Sequence, residues 1–177
     1  MRTLEFFSTP ERLKVLNWAL FNPGQSGVRA ISRRIGVSPS VVSKCLSFLK
    51  KEKILNEKTK NPKAQALKIY LNVEKILGAG IDRLLKKEFD PLSAGLYGSW
   101  ANGTNYSDSD IDIWVKVREK PTEEKELRVR KEIRKKLSAE PSILILAEKE
   151  IKELRKADYP FYCSLVHSIA LIGEGID

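Results

Sequence analysis

Asp110 and Asp112, separated by one residue, are the side chains of this chain best suited to chemistry. They begin residues 110–117, DIDIWVKV, whose strict alternation of polar and apolar residues predicts a β-strand. Side chains two residues apart on a strand share one face and lie about 6–7 Å apart. Two carboxylates at that spacing repel each other unless a cation lies between them, and hard oxygen ligands favour Mg²⁺. The pair therefore predicts a magnesium site.

A Gly-Ser pair precedes the aspartates by ten residues. Gly98-Ser99 lies at the end of residues 92–100, which are predicted to form a short buried strand. Glycine allows backbone amides to approach phosphate groups closely, and the Ser99 hydroxyl can donate a hydrogen bond to a phosphate oxygen. Because Mg²⁺ also binds nucleotide phosphates, the two pairs together predict a triphosphate site beside a metal site.

The order Gly-Ser, ten residues, Asp-x-Asp closely resembles the signature of polymerase-β-type nucleotidyltransferases. Ala101 and Gly103 match the family's small residues, and Ser109 matches the serine that commonly precedes the first aspartate. Asn102 departs from the family, which often has arginine there. The resemblance covers about residues 90–175, and the spacing is shared with the minimal nucleotidyltransferases of prokaryotes.

The resemblance implies Mg²⁺-dependent transfer of a nucleotidyl group, usually AMP, from a nucleoside triphosphate such as ATP to an acceptor hydroxyl. Asp110 and Asp112 would be the catalytic, metal-binding residues, and Gly98, Ser99 and Ser109 would bind the nucleotide. Some minimal members are antitoxins that transfer AMP to a HEPN-type partner, so a HEPN-like protein is one candidate acceptor. The alternative function is a non-catalytic, nucleotide-sensing transcriptional regulator that binds DNA.

A third carboxylate, present in many family members on the strand after the connecting helix, has no counterpart here. That strand is predicted at residues 142–146, SILIL, with Glu140 just before it and Glu148 just after. Three interpretations stay open: a single-metal or partner-completed transferase, an enzyme with a displaced acid, or a domain that binds nucleotide without reaction.

The N-terminal half predicts three helices. The first starts at residues 8–11, STPE, the second spans residues 28–35 and ends at Gly36, and the third runs from Ser38-Pro39 to about residue 51. Two short helices around a glycine turn resemble a helix-turn-helix motif. An extended segment at residues 54–55 and an alternating one at residues 66–71 predict a two-stranded wing, as in the winged-helix regulators of archaea and bacteria.

The winged-helix resemblance, over about residues 8–72, implies binding to double-stranded DNA. The third helix would enter the major groove and the wing would contact phosphates. Residues 1–89 carry 18 Lys and Arg against 7 Asp and Glu, whereas residues 90–177 carry 14 against 16, which agrees with a basic DNA-binding module. A protein-interaction or dimerisation module is the alternative. The candidate DNA-binding residues are Ser40, Ser43, Lys44, Lys58, Lys60 and Lys63.

The predicted fold class is α+β. A winged helix-turn-helix domain at residues 1–72 is followed by a connecting helix at 73–90. The remaining residues, 91–177, are predicted to form a nucleotidyltransferase domain, with a small mixed sheet flanked by helices on one side. Further helices are predicted at residues 121–137, 148–155 and 161–166, and strands at 143–147 and 169–172.

Several classes are excluded by composition. No apolar run is long enough for a membrane span, and the N-terminus does not resemble a secretory signal, so a cytoplasmic protein is expected. Cys45, Cys163 and His167 are too few and too scattered for a zinc site built from Cys and His. A homodimer is the default expectation, since many winged-helix regulators dimerise.

Overall fold

The structure is a computed structural model of the chain and describes residues 3–22, 24, 27–55 and 61–177. It divides into an N-terminal unit, residues 1–68, and a C-terminal unit, residues 69–177. In the described ranges, no helix has both the length and the apolar composition needed to cross a membrane.

The N-terminal unit is helical. Thr9 accepts a hydrogen bond from the Arg12 amide at the start of the second helix, where Pro10 occupies the first helical position. Gly36, at φ +66°, forms the left-handed turn that ends the third helix. The three predicted helices are thus confirmed as α2 Pro10–Phe21, α3 Val28–Ile35 and α4 Pro39–Lys51. A short helix that was not predicted, α1 Thr3–Phe6, precedes them.

The core of this unit lies between α2, α3 and α4. Residues at helical spacing on α2 and α4 are almost completely inaccessible, because the apolar stripe of each helix is buried against the others. The Phe6 and Phe48 rings stack with their centroids 3.9 Å apart, which joins α1 to α4. The main buried residues are Val15, Leu16, Leu20, Ile31, Val42, Cys45 and Leu49.

The predicted wing strand at residues 66–71 is wrong: these residues belong to a helix, α5, Pro62–Gly78. Asn61 caps it, because its Oδ1 accepts the amides of Lys63 at 3.1 Å and Ala64 at 3.3 Å. Asn-Pro is as suitable for a helix start as for a turn, and the residues after it are good helix formers. The cap at Asn61 therefore favours a helix at residues 66–71, where the alternation of polar and apolar residues had predicted a strand.

The C-terminal unit contains a four-stranded sheet in the order β3-β2-β1-β4. β1 is antiparallel to both β2 and β4, whereas β2 and β3 are parallel, so the predicted mixed sheet is confirmed. The elements are α6 Ile81–Phe89, β1 Ser93–Tyr97, α7 Gly98–Ala101, β2 Ile111–Val117, α8 Glu123–Leu137, β3 Pro141–Ala147, α9 Glu148–Ala157, α10 Tyr159–Val166 and β4 Ile169–Ile172.

Helices cover both faces of this sheet, so the expectation of helices on one side is wrong. One face packs Ile111 and Ile113 against α6 and α8, whereas the other packs Trp114 and Leu146 against α9 and α10. On the second face, α9 and α10 shield the large apolar surface of the Trp114 ring, which is fully buried. A Cβ on Gly95 would lie 2.7 Å from the Trp114 ring, so glycine at that position leaves room for the indole.

The outer edge of β3 is occupied by Arg130 of α8. Its guanidinium donates hydrogen bonds to the carbonyls of Pro141 at 2.9 Å and Ile143 at 3.1 Å, and it also pairs with Glu126. Pro141 itself offers no amide donor. The backbone groups that a further strand would need at this end of β3 are therefore already bonded or missing.

The helical state of residues 66–71 predicts the sign of one substitution. Ala66 is exposed on α5, so Ala66→Val should lower the free energy of unfolding by about 0.5 kcal/mol, because valine is the poorer helix former. Ala170→Val is the matched control, at an exposed position of strand β4, and should raise the free energy of unfolding because valine favours strands. Urea denaturation followed by circular dichroism measures both, and stabilisation by Ala66→Val would contradict the helix.

Candidate active site

Asp112 lies on β2 and Asp110 immediately before it. Asp112 is half-buried and Asp110 is exposed, while Ile111 and Ile113 point into the core on the opposite face of the sheet. The predicted alternation of β2 is therefore confirmed. Burial, and next to it the negative charge of Asp110, raise the pKa of Asp112. The two carboxylates thus interact electrostatically, as two like charges near one site must.

Gly98 is packed directly against Asp112. Tyr97 pairs with Asp112 across β1 and β2, so the first residue after β1 reaches the carboxylate. A Cβ at position 98 would lie 2.4 Å from Asp112 Oδ2, and the backbone there has φ +65°. Any side chain would collide with the carboxylate and would strain the backbone. The two ends of the sequence motif are thus joined in space, with Ser99 half-buried beside them.

The loop between the two ends is closed by hydrogen bonds of its own. The Thr104 amide donates to the Ser99 carbonyl at 3.0 Å, and the Tyr106 amide donates to Ser109 Oγ at 2.8 Å. The Trp100 indole donates to the Ser109 carbonyl at 3.4 Å. Ser109 therefore closes the turn before Asp110, and its direct contact with a nucleotide stays a prediction.

Asn72 of α5 supports this loop and was missed by the sequence analysis. Its Nδ2 donates to the Trp100 carbonyl at 2.9 Å and to Asn105 Oδ1 at 3.0 Å, and Asn105 Nδ2 donates back at 3.2 Å. Both amides are only 2% exposed. Lys75, one turn further along α5, lies 5.3 Å from the centroid of the Trp100 ring. No pattern in the sequence indicates this role, because the bonds join residues 28 and 33 positions apart.

Both acids near β3 form ion pairs. Glu140 is bound by Arg134 of α8, with its Oε2 2.7 Å from the guanidinium Nε. Glu148 accepts from Lys152 at 2.8 Å, at the far end of β3. Within the described ranges no three His, Cys, Asp or Glu side chains cluster as a metal site. The prediction that this strand lacks an acid agrees with the structure.

Two hydroxyls stand beside Asp112 instead. Tyr97 on β1, Asp112 on β2 and Ser142 on β3 are direct cross-strand partners, so they form one row on one face of the sheet. The Ser142 hydroxyl opposes the effects of burial and of the Asp112 charge on the pKa of Tyr97. Burial, followed by the charge of Asp112, raises the pKa of Tyr97 and keeps its proton in place. Sequence reasoning missed both residues, since strand register is not visible in the sequence.

The donor set fits a magnesium ion bound together with a nucleotide. Mg²⁺ is commonly held by one or two carboxylates plus substrate phosphates and waters, and Asp110 and Asp112 supply such a pair. A divalent cation would also relieve the repulsion that contributes to the raised pKa of Asp112. Gly98 leaves open the space in which a side chain would otherwise contact the Asp112 carboxylate.

A second surface of interest lies on α3 and α4 of the N-terminal unit. Ser40, Ser43 and Lys44 are exposed on α4, as predicted for residues that contact DNA bases. Lys63 is exposed in the first turn of α5 and not on a wing strand, whereas Lys58 and Lys60 lie outside the described residues. Three further cations, which were not predicted to bind DNA, are exposed on α3: Arg29, Arg33 and Arg34.

The raised pKa of Asp112 predicts a cost in stability. A carboxyl whose pKa is raised on folding destabilises the folded state once it is ionised, so stability falls as pH rises through the folded-state pKa. Without divalent cations, Asp112→Asn should therefore be more stable than the wild type near neutral pH, and the gain should vanish in acid. Urea denaturation with a chelator tests this, with exposed Asp108→Asn as control. Equal stability at neutral pH would contradict it.

The domain with this site matches a known protein family. Residues 79–161 match the sequence model of the family described as polymerase beta, nucleotidyltransferase. The matched range begins directly after α5, contains both ends of the motif, and ends within α10. No curated protein and no solved structure gives a significant match to the chain. The match spans just under half of the chain, and residues 79–161 are thus similar to the nucleotidyltransferase domains of that family.

Proposed function

We propose that the chain is a Mg²⁺-dependent nucleotidyltransferase that transfers AMP from ATP to a hydroxyl acceptor. The observation that carries the proposal is the contact of Gly98 with Asp112, which joins the Gly-Ser and Asp-x-Asp ends of the motif. The family match over residues 79–161 supports the same reaction class. Asp110 and Asp112 hold the cation, and Gly98 and Ser99 orient the triphosphate.

In this reaction the acceptor oxygen attacks the α-phosphorus, the bond to the β-phosphate oxygen breaks, and pyrophosphate leaves. A bound divalent cation supplies positive charge against the phosphate oxygens. The Asp112 carboxylate and the Gly98 backbone fix where the triphosphate lies, so positioning is the main contribution of the chain. The acceptor hydroxyl loses its proton to solvent or to a group of the acceptor. A HEPN-like protein partner is a candidate acceptor.

Calorimetric titration of ATP, with and without Mg²⁺, tests the site. The wild type should bind ATP more tightly with Mg²⁺, and Asp110→Ala/Asp112→Ala should lose that difference because both cation ligands are gone. The control Asp108→Ala/Glu119→Ala removes two exposed carboxylates nearby and should bind like the wild type. Cation-dependent binding that survives in the Asp110/Asp112 variant, or is absent in the wild type, would refute the proposal.

We propose DNA binding as a second function of the N-terminal unit. Exposed Arg29 and Arg33 on α3 and Lys44 on α4 make this helix pair basic, and exposed Ser40 and Ser43 start α4. Gly36 forms the left-handed turn between them, which is typical of a helix-turn-helix unit. Without reaction at the nucleotide site, the chain would act as a nucleotide-sensing regulator.

Salt dependence distinguishes a DNA contact from a general charge effect. Lys44→Ala should lower the slope of log affinity against log salt by about one unit if Lys44 contacts a phosphate. Lys131→Ala removes the same charge from an exposed position of α8 and should leave the slope unchanged. Gel-shift titrations at several salt concentrations measure both variants, and equal slopes for all three proteins would exclude this contact.

A further inference from the structure

The row formed by Tyr97, Asp112 and Ser142 contains one acid and two hydroxyls. Neighbouring strands lie about 4.8 Å apart, and side chains directly opposite each other on one face are in reach of contact. Tyr97 and Ser142 are the direct partners of Asp112 on its two sides, in β1 and β3. The phenol and the Ser142 hydroxyl therefore lie on the same face of the sheet as the Asp112 carboxylate.

Both hydroxyls are held in place without being sealed off. The Tyr97 ring is half-buried and packs edge-on against Phe161, with the centroids 6.0 Å apart, which fixes its direction. Ser142 is exposed, so the hydroxyl pair faces solvent at the edge of the site. Glu140 and Glu148, the acids nearest in sequence, are bonded to Arg134 and Lys152 instead. Asp112 is accordingly the one acid of the row, and Asp110 is the neighbouring charge that acts on it.

We propose that the Tyr97 and Ser142 hydroxyls are positioning residues that hold the water shell of a single divalent cation bound by Asp110 and Asp112. This inference rests on the proposed function. Mg²⁺ releases its waters reluctantly and keeps several of them when bound to protein. Groups around a metal site that hydrogen-bond its ligands orient them and tune affinity. Neutral hydroxyls can form such hydrogen bonds to the bound waters. They do not supply the negative charge that binding of a second cation would require.

A double-mutant cycle on Mn²⁺ affinity tests the pair, in the presence of a non-hydrolysable ATP analogue. Tyr97→Phe keeps the ring contact with Phe161 and Ser142→Ala alters an exposed side chain, so both should fold. Each should weaken Mn²⁺ binding about threefold to tenfold, the range expected for one lost hydrogen bond. The double variant should lose more affinity than either single variant, because each hydroxyl lies beside Asp112 on its own side. Ser142→Thr keeps the hydroxyl and should restore wild-type affinity.

A third carboxylate placed on the row gives the complementary test. Ser142→Asp sets an acid directly opposite Asp112 and should add a second bound Mn²⁺ per chain, as counted by paramagnetic resonance. An unchanged stoichiometry would overturn the assignment of Ser142 to the cation site. Melting without metal checks that the variants are folded.

The outcomes separate this inference from the proposed function. If the wild type binds Mn²⁺ with the analogue but Tyr97→Phe and Ser142→Ala bind it equally well, the hydroxyl pair has no part in cation binding and only this inference fails. If the wild type shows no cation-dependent binding, the proposed function fails and this inference fails with it.

Discussion

The close approach of Gly98 to the Asp112 carboxylate is the constraint on which the site depends. A Cβ at position 98 would lie 2.4 Å from Oδ2 and would force the carboxylate to move, and the positive φ there disfavours residues other than glycine. The contact fixes the end of β1 relative to β2. It also brings backbone groups and carboxylate into one small volume, where a phosphate and a cation can share the same surroundings.

This volume is maintained by polar contacts that lie behind it. The reciprocal amide pair of Asn72 and Asn105, buried to 2% exposure, ties the loop to α5 through well-formed hydrogen bonds. Buried amides are costly unless all their partners are present, so a satisfied pair of this kind specifies one loop conformation. The loop that separates the two ends of the motif is thereby held to α5 by hydrogen bonds at Trp100 and Asn105.

The sequence was sufficient for the local features and insufficient for the long-range ones. The alternation of β2 and the Gly-Ser spacing led to Gly98, Asp110 and Asp112, because both patterns are properties of neighbouring residues. The wing failed because Asn61-Pro62 suits a turn and a helix cap alike, and only the hydrogen bonds of Asn61 decide between them. Tyr97, Asn72 and their partners could not be found, since strand register and helix contacts join residues far apart in the chain.

The guanidinium of Arg130, bonded to two carbonyls of β3, has a consequence for the behaviour of the sheet under stress. A long unpaired strand invites pairing with another chain, and here the protection comes from α8, not from the strand alone. Detachment of α8 would uncover the β3 edge and apolar residues such as Ile133 at the same moment. Partial unfolding at this helix is therefore the event that would expose the protein to aggregation.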